Sequence, residues 1–219
     1  MKKYLEVLKG CSLFTGINED ELIRMLDCFD ARIETFDKKY TVFFEGNPAK
    51  YIGIVLSGSV QLISVDYYGN RNIISTAVAG ELFGEAFACA EAENIPISVI
   101  ANEKSDIMFI ESSRIMHPCH NGCGFHNRLI FNLMKNLATK NIMFHQRIEI
   151  TSKRTTREKL LTYLMLYSKR VGSESFSIPF DRQELADYLE VERSGLSAEI
   201  SKLRREGVLK SEKRHFELL

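Results

Sequence analysis

The spacing of apolar positions changes twice along the chain. Over residues 4–30 they recur three and four apart, in "YLEVLKGCSLF" and "NEDELIRMLDCF", which predicts short helices. Asn18 is placed to cap the second, with Glu21 three residues later to complete a capping box. Over residues 31–111 the apolar residues fall instead into short β-rich runs: "YTVFFEGNPAK", "YIGIVLSGSVQLISVDYYGNRNIISTAVAGELFGE" and "ISVIANEKSDIMFIES". Glycines punctuate these runs, and "YYGN" reads as a hairpin turn between "SVQLISV" and "RNIISTAV". Many short strands of this kind predict a barrel or jelly roll with a core of its own.

From Gly124 to Glu149 the helical period returns, and it lasts for three heptads. Asn127, Met134, Asn141 and Ile148 fall at one heptad position, Ile130, Leu137 and Phe144 at the other apolar one. Asparagine at such a seam costs stability but fixes register and favours dimers, so the helix is expected to pair with a second copy. The alternative is a helix packed on its own barrel with the asparagines turned elsewhere. A polar hinge, "TSKRTT", follows, then an amphipathic helix, "REKLLTYLMLYSKRVG", and a strand-like connector, "SESFSIPF".

The last forty residues, "FDRQELADYLEVERSGLSAEISKLRREGVLKSEKRHFELL", read as helix, tight turn, helix, hairpin. Asp181 caps the first helix, with Glu184 at the capping-box position. Leu185, Ala186 and Leu189 form its inner face, Val191 plugs the turn, and Leu196, Ile200 and Leu203 line the second helix. This is a winged helix-turn-helix pattern, whose second helix enters the major groove and presents its first residues to base edges. Those residues are Arg193, Ser194, Ser197 and Ala198; Arg193 suits bidentate contact with guanine, and the Ala198 methyl suits thymine. Arg182, Gln183, Lys202, Lys213 and Arg214 are placed for phosphate contacts. The competing reading is a three-helix scaffold with charged surface helices.

Charge supports the first reading weakly. The chain is neutral overall, yet residues 151–219 carry 14 Lys+Arg against 11 Asp+Glu, and the remainder 15 against 18. A basic end on an acidic body fits a polyanion-binding domain. No apolar run is long enough to span a membrane, and "MKKYLEVLKG" lacks the apolar core of a secretory signal. Five scattered cysteines fit a reducing compartment, so a cytoplasmic location is expected. An enzyme of the cupin type is excluded by inventory: its barrel strands carry metal-binding histidines, and no histidine precedes His117. A hydrolase is unsupported, because no nucleophile elbow is present.

Over essentially its whole length the chain resembles transcription regulators of the CRP/FNR family. "RQELADYLEVERSGLSAEISKLRREG" carries the strongest match, and "FFEGNPAKYIGIVLSGSVQLISVDYYGNRNIISTAVAGELFGE" is similar to the family's cyclic-nucleotide-binding-type barrel. The resemblance implies an α+β chain: a double-stranded β-helix or jelly-roll sensor domain over 1–123, a dimerisation helix over 124–150 and a winged helix-turn-helix over 151–219. It implies a homodimer that binds double-stranded operator DNA and contacts RNA polymerase. It also implies an effector pocket at Phe83, Gly84, Glu85, Phe87, Ile95, Pro96, Ile97 and Ser98, closed by Ile142 and Met143 of the long helix. The family's cyclic-nucleotide binders carry an arginine beside a small residue about ten positions after the glutamate, to neutralise the cyclic phosphate. Here a gapless count from Glu85 places Ile95 and Pro96 there, and no arginine lies from Phe83 to Ala101. Burying an anion against apolar groups is costly, so the expected effector is an apolar or aromatic organic molecule and not cyclic AMP. The other possibility is a pocket closed into ordinary core, with no ligand. Cys11 and Cys28 are too few and wrongly spaced for the iron–sulfur cluster of one family branch.

"HPCHNGCGFH" concentrates His117, Cys119, His120, Cys123 and His126 in ten residues. No resident metal or other cofactor is assigned. Cys119 and Cys123 are four apart, unlike the two-residue gap of common zinc motifs. The stretch is expected to be a connector whose cysteines pack as small hydrophobes. The alternative is a redox- or metal-responsive regulator that uses Cys119 and Cys123, with His117 as a further ligand.

Overall fold

A computed structural model describes residues 2–65, 67–68, 71–117 and 124–219. Its contacts divide the chain into two compact units, Met1–Thr139 and Lys140–Leu219.

The first unit opens with two helices, α1 (Leu5–Gly10) and α2 (Glu19–Cys28). The Asn18–Glu21 capping box forms, and Leu22, Met25 and Leu26 turn inward. Among the described residues eight strands follow: β1 (Arg32–Phe36), β2 (Thr41–Phe43), β3 (Tyr51–Ser57), β4 (Ser59–Val65), β5 (Arg71–Val78), β6 (Leu82–Phe83), β7 (Ser98–Ala101) and β8 (Ser105–Glu111). They form two antiparallel four-stranded sheets, ordered β1-β8-β3-β6 and β2-β7-β4-β5. This is the expected jelly-roll sensor domain. The short helix α3 (Glu85–Cys89) follows β6, and α4 (Ser112–Met116) follows β8.

Two apolar clusters fill this unit. One has Val55, Val60, Phe83, Val99, Ile107 and Phe109 at its centre, with Phe36, Phe43 and Tyr51 packed against it. Phe83 takes the space that a side chain at Gly53 would need: a Cβ there would sit 2.2 Å from the Phe83 ring. The larger cluster joins the first two helices and outward sheet residues to Leu129 and Leu133 of the long helix α5 (Gly124–Thr151).

Asp106 on β8 ties down the N-terminus. Its carboxylate accepts hydrogen bonds from the Tyr4 hydroxyl, from Thr35 Oγ1 at 2.6 Å and from Ser57 Oγ at 3.1 Å, with Lys3 Nζ 3.7 Å away. Those hydroxyl donors, Thr35 foremost, pull its pKa down to about 2.

The second unit holds the end of α5, then α6 (Thr156–Val171), β9 (Ser175–Ser177), α7 (Arg182–Leu189), α8 (Arg193–Arg205), β10 (Leu209–Glu212) and β11 (His215–Leu218). The strands form one antiparallel sheet, β10-β11-β9. Its core runs from Ile150 through Leu160, Leu164, Leu185, Leu196, Ile200 and Leu203 to Phe216. Capping boxes start α6, from Thr155 and Glu158, and α7, from Asp181 and Glu184; each cap contributes about 1 kcal/mol. This is the expected winged helix-turn-helix. Tyr163 is buried in its aromatic cluster, and among the described residues its hydroxyl has no hydrogen-bond partner.

Two details differ from the sequence reading. The polar stretch at 151–156 was expected to be the joint between the long helix and the DNA-binding domain. In the structure the last turns of α5 belong to the second unit, because Ile150 is buried in that unit's core. The heptad seam also needs correction. Ile130 and Leu137 are half-buried against the barrel's own cluster, and the exposed apolar stripe is Phe131, Met134, Ile142, Phe144 and Ile148. The partner of the helix's first half is its own unit: Leu129 and Leu133 join the cluster of N-terminal helices and sheet, and the amide of buried Asn132 donates to the carbonyls of Leu13 and Thr15, ahead of β1, at 2.9 Å. Asn127 and Asn141 are exposed, as the seam requires. Among the described residues no helix is long and apolar enough to cross a membrane.

Candidate nucleic-acid interface and effector site

The turn between α7 and α8 sets the geometry of the second unit's exposed face. Glu190 ends α7 in the left-handed region, at φ 54°, which costs a non-glycine residue roughly 1 kcal/mol. Val191 and Leu196 then fold back on the core, and α8 buries Leu196, Ile200 and Leu203. That leaves Arg193, Ser194, Ala198 and Lys202 exposed, with Ser197 half-buried. Arg157 on α6 holds α8 from behind: its Nη1 lies 3.4 Å from Glu199 and 2.6 Å from Glu206. These carboxylates, Glu206 first, raise the Arg157 pKa above its usual value.

An open groove of about 830 Å³ runs between the start of α7, the flank of α8 and the β10–β11 hairpin. Its lining carries Arg182, Arg204, Lys210 and Lys213, with His215 beside them, against Glu212 and Glu217, of which Glu217 pairs with Lys210 at 2.9 Å. Arg182 is half-buried, its guanidinium 5.9 Å from the centre of the Phe216 ring. Its Nη1 is buried with no hydrogen-bond partner among the described residues. Burial, and then the like charge of Arg193, lower its pKa. A guanidinium held in this state gains from an anion that enters the groove. The hairpin places Lys213 at its tip with φ 51°.

Of the sequence-derived DNA-binding set, several side chains have internal partners. Gln183 donates to Asp187 at 2.8 Å, Ser197 Oγ donates to the Arg193 carbonyl at 2.9 Å, and Arg214 pairs with Glu184 at 3.6 Å. The groove also holds Arg204, Lys210 and His215, which the sequence reading did not single out; Lys210 pairs with Glu217 at 2.9 Å, and the His215 ring nitrogens lie 3.1 and 3.2 Å from the Ser175 and Ser177 hydroxyls. Their signal was present: Arg204 lies seven residues after Ser197, on the same helical face, and the hairpin residues alternate outward.

The expected effector residues are divided in the structure. Phe83 belongs to the cluster between the sheets, beside Phe43 at 5.4 Å between ring centres. Gly84 adopts φ 75°, which turns the chain into α3, and a Cβ there would meet Phe43 at 2.7 Å. Glu85 is buried at the start of α3. Ile95 and Ile97 are buried in the other cluster, with Phe87 packed against it, and Ser98 Oγ accepts from the Glu45 amide at 3.2 Å. Pro96 is exposed: the bend at "NIPIS" turns Ile95 and Ile97 inward and Pro96 out. Ile142 and Met143 are exposed on α5, in the second unit.

Within "HPCHNGCGFH", Pro118, Cys119, His120, Asn121, Gly122 and Cys123 lie outside the described residues. His117 Nδ1 pairs with the Ser113 carbonyl at 3.0 Å. His126 is buried, its Nε2 3.0 Å from the Arg114 carbonyl and its ring edge-on to Phe29. Among the described residues no three His, Cys, Asp or Glu side chains gather as a metal site.

Comparison with known proteins agrees with this architecture. Residues 33–119 match the cyclic nucleotide-binding domain family, and residues 158–219 match the Crp-like helix-turn-helix domain family. The transcriptional activator protein FnrA of Stutzerimonas stutzeri is 23% identical, over 97% of this chain and 86% of its own length. Two solved structures share the fold. CprK complexed with OCPA superposes with a TM-score of 0.64 at 16% identity, covering 90% of this chain and 88% of that one. The c-di-GMP responsive global regulator CLP of Xanthomonas campestris superposes with a TM-score of 0.58 at 17% identity, covering 90% and 98%. A barrel of the cyclic-nucleotide-binding type joined to a Crp-like helix-turn-helix defines a transcription regulator with an effector-binding domain. The two matched domains, in this order, are those of the CRP/FNR regulators, which bind DNA and act as dimers, and the chain is similar to them over nearly its whole length.

Proposed function

We propose that the chain is a homodimeric, sequence-specific DNA-binding regulator in which α8 reads the major groove. The observation that carries this reading is half-buried Arg182, whose Nη1 has no hydrogen-bond partner among the described residues, in a groove with four cationic side chains beside the exposed first turn of α8. Arg193, Ser194 and Ala198 face base edges, and Arg182, Lys202, Lys213 and Arg214 hold phosphates. Gln183 and Ser197 join them by releasing their internal hydrogen bonds. Two copies related by a two-fold axis place their recognition helices on half-sites about one helical turn apart.

Selection of duplexes from a random-sequence pool tests this. The expected result is an enriched two-fold motif. Arg193→Ala then weakens binding of that duplex by roughly 10- to 100-fold and relaxes selection at one base pair. Lys213→Ala weakens selected and scrambled duplexes alike and reduces the salt slope by about one. No enrichment from the pool would sink the reading.

The regulatory ligand in this proposal is an apolar or aromatic organic molecule and not cyclic AMP. What supports it is the absence of any arginine from Phe83 to Ala101 and the apolar side chains at the positions of the phosphate pair. A rise in melting temperature with cyclic AMP at millimolar concentration would overturn it.

A further inference from the structure

Glu190 occupies the left-handed position in the turn that joins α7 to α8, at φ 54° and ψ 56°. Glycine fills such a position without strain, yet the chain carries a glutamate there. Two cations from other helices hold that glutamate. Its carboxylate lies 3.7 Å from Arg147 Nη2 on α5, and its carbonyl accepts from Lys159 Nζ on α6 at 3.3 Å. The Arg147 guanidinium also lies 5.6 Å from the centre of the Tyr188 ring, on the last turn of α7. Ile150, one turn further along α5, is buried in the same core as Leu189 and Leu196. The turn that fixes the angle of α8 is therefore gripped by the end of α5.

Half-exposed ion pairs of this kind add little to folding stability. Arg147 and Glu190 have side-chain exposures of 34% and 59%, so their contribution is geometric. We propose that Arg147 and Glu190 form a latch through which the end of α5 sets the placement of the recognition helix. They are positioning residues for sequence-specific DNA reading and touch no DNA themselves. A change in the course of α5 pulls on Arg147, Arg147 moves the turn, and the turn moves Arg193 and Ser194 at the start of α8. This rests on the reading of α8 as the helix that meets DNA.

The test uses the full-length protein, a duplex that the wild type selects from a random-sequence pool, and a scrambled duplex of the same composition. Arg147→Ala and Glu190→Gln are each expected to weaken binding of the selected duplex roughly two- to fivefold. The scrambled duplex and the salt slope stay unchanged. Glu190→Gly relieves the left-handed strain, so it melts no lower than the wild type and yet shows the same loss. The double exchange Arg147→Glu with Glu190→Arg recovers most of the affinity. Wild-type binding by Glu190→Gly, or failure of the double exchange to recover, overturns the latch. So does equal loss on both duplexes with a shallower salt slope, because that makes Arg147 a phosphate contact. A wild type that selects no sequence overturns the reading of α8 itself, a failure distinct from variants that bind the selected duplex as well as the wild type does.

Discussion

Gly195 lies in the first turn of α8, where glycine costs a helix roughly 1 kcal/mol relative to alanine. Nothing inside the protein asks for it. Its backbone lies outside the left-handed region, and an added Cβ would meet only Glu192 Cβ, at 4.0 Å. Space around a residue that weakens its own helix is space for something from outside, and under the proposed reading of α8 that is the DNA backbone. Gly195→Ala is therefore expected to raise the melting temperature by a few degrees, corresponding to about 1 kcal/mol. The same change weakens DNA binding, selected and scrambled duplexes together, because the added methyl meets the sugar–phosphate backbone. Unchanged affinity in an anisotropy titration would show that the glycine has no such role. At this scale the sequence was informative where chemistry is local. The caps Asn18–Glu21 and Asp181–Glu184 span three residues each and were readable directly. The contacts that occupy Arg214 and Glu190 depend on residues 30 and 43 positions away, which no spacing rule reaches.

Among the elements, α5 shows why a periodic pattern names a helix but not its partner. The heptad reading joined Ile130 and Leu137 to Met134 and Ile148 in one seam, since all four recur at the right interval. The barrel claims the first two, and Asn132 and Asn136 reach back to Leu13, Thr15 and Ser12 to hold that register. A helix 28 residues long has surface for two partners, and the apolar count alone does not divide them. Phe131, Met134, Phe144 and Ile148 are exposed apolar side chains on α5, and in the proposed homodimer they are what remains for a second copy. Met134→Glu with Ile148→Glu is expected to shift sedimentation from dimer to monomer at least tenfold in concentration, because charges buried in an apolar seam have no partner. The pair leaves the first unit's melting transition in place. Leu133→Ala should do the reverse, costing about 2–5 kcal/mol of stability without weakening the dimer. Monomer formation by Leu133→Ala alone, or an undisturbed dimer in the glutamate pair, would place the interface elsewhere.

For the whole molecule, α5 is the element shared by the two units, so in the proposed regulator a signal from the barrel to the DNA-reading helix runs along it. The architecture was legible because each domain has its own period: alternation with glycine turns in the barrel, helical spacing with caps in the DNA-binding unit. The effector was not legible to the same degree, because a pocket is defined by which side chains converge. Phe83 and Ile95 were grouped from their positions in the chain, and the structure assigns them to different clusters. Phe43 packs against both clusters, with aromatic rings at 5.4 and 5.8 Å around it, and a small cavity of about 100 Å³ lies beside Phe43, Tyr51 and Ile95. A ligand that enters must displace such contacts, so it has to return apolar contact, and a hydrated cyclic phosphate offers none. A thermal-shift series of phenols and aromatic acids against cyclic AMP is expected to show stabilisation by members of the first group and none by the second. A ligand at 100 times its dissociation constant contributes about 2.7 kcal/mol, which makes a shift of several degrees readable. The same compound should alter affinity for the selected duplex, and the Arg147→Ala variant should keep the thermal shift while losing that alteration. A ligand that changes DNA affinity equally in both proteins would mean that the signal bypasses Arg147.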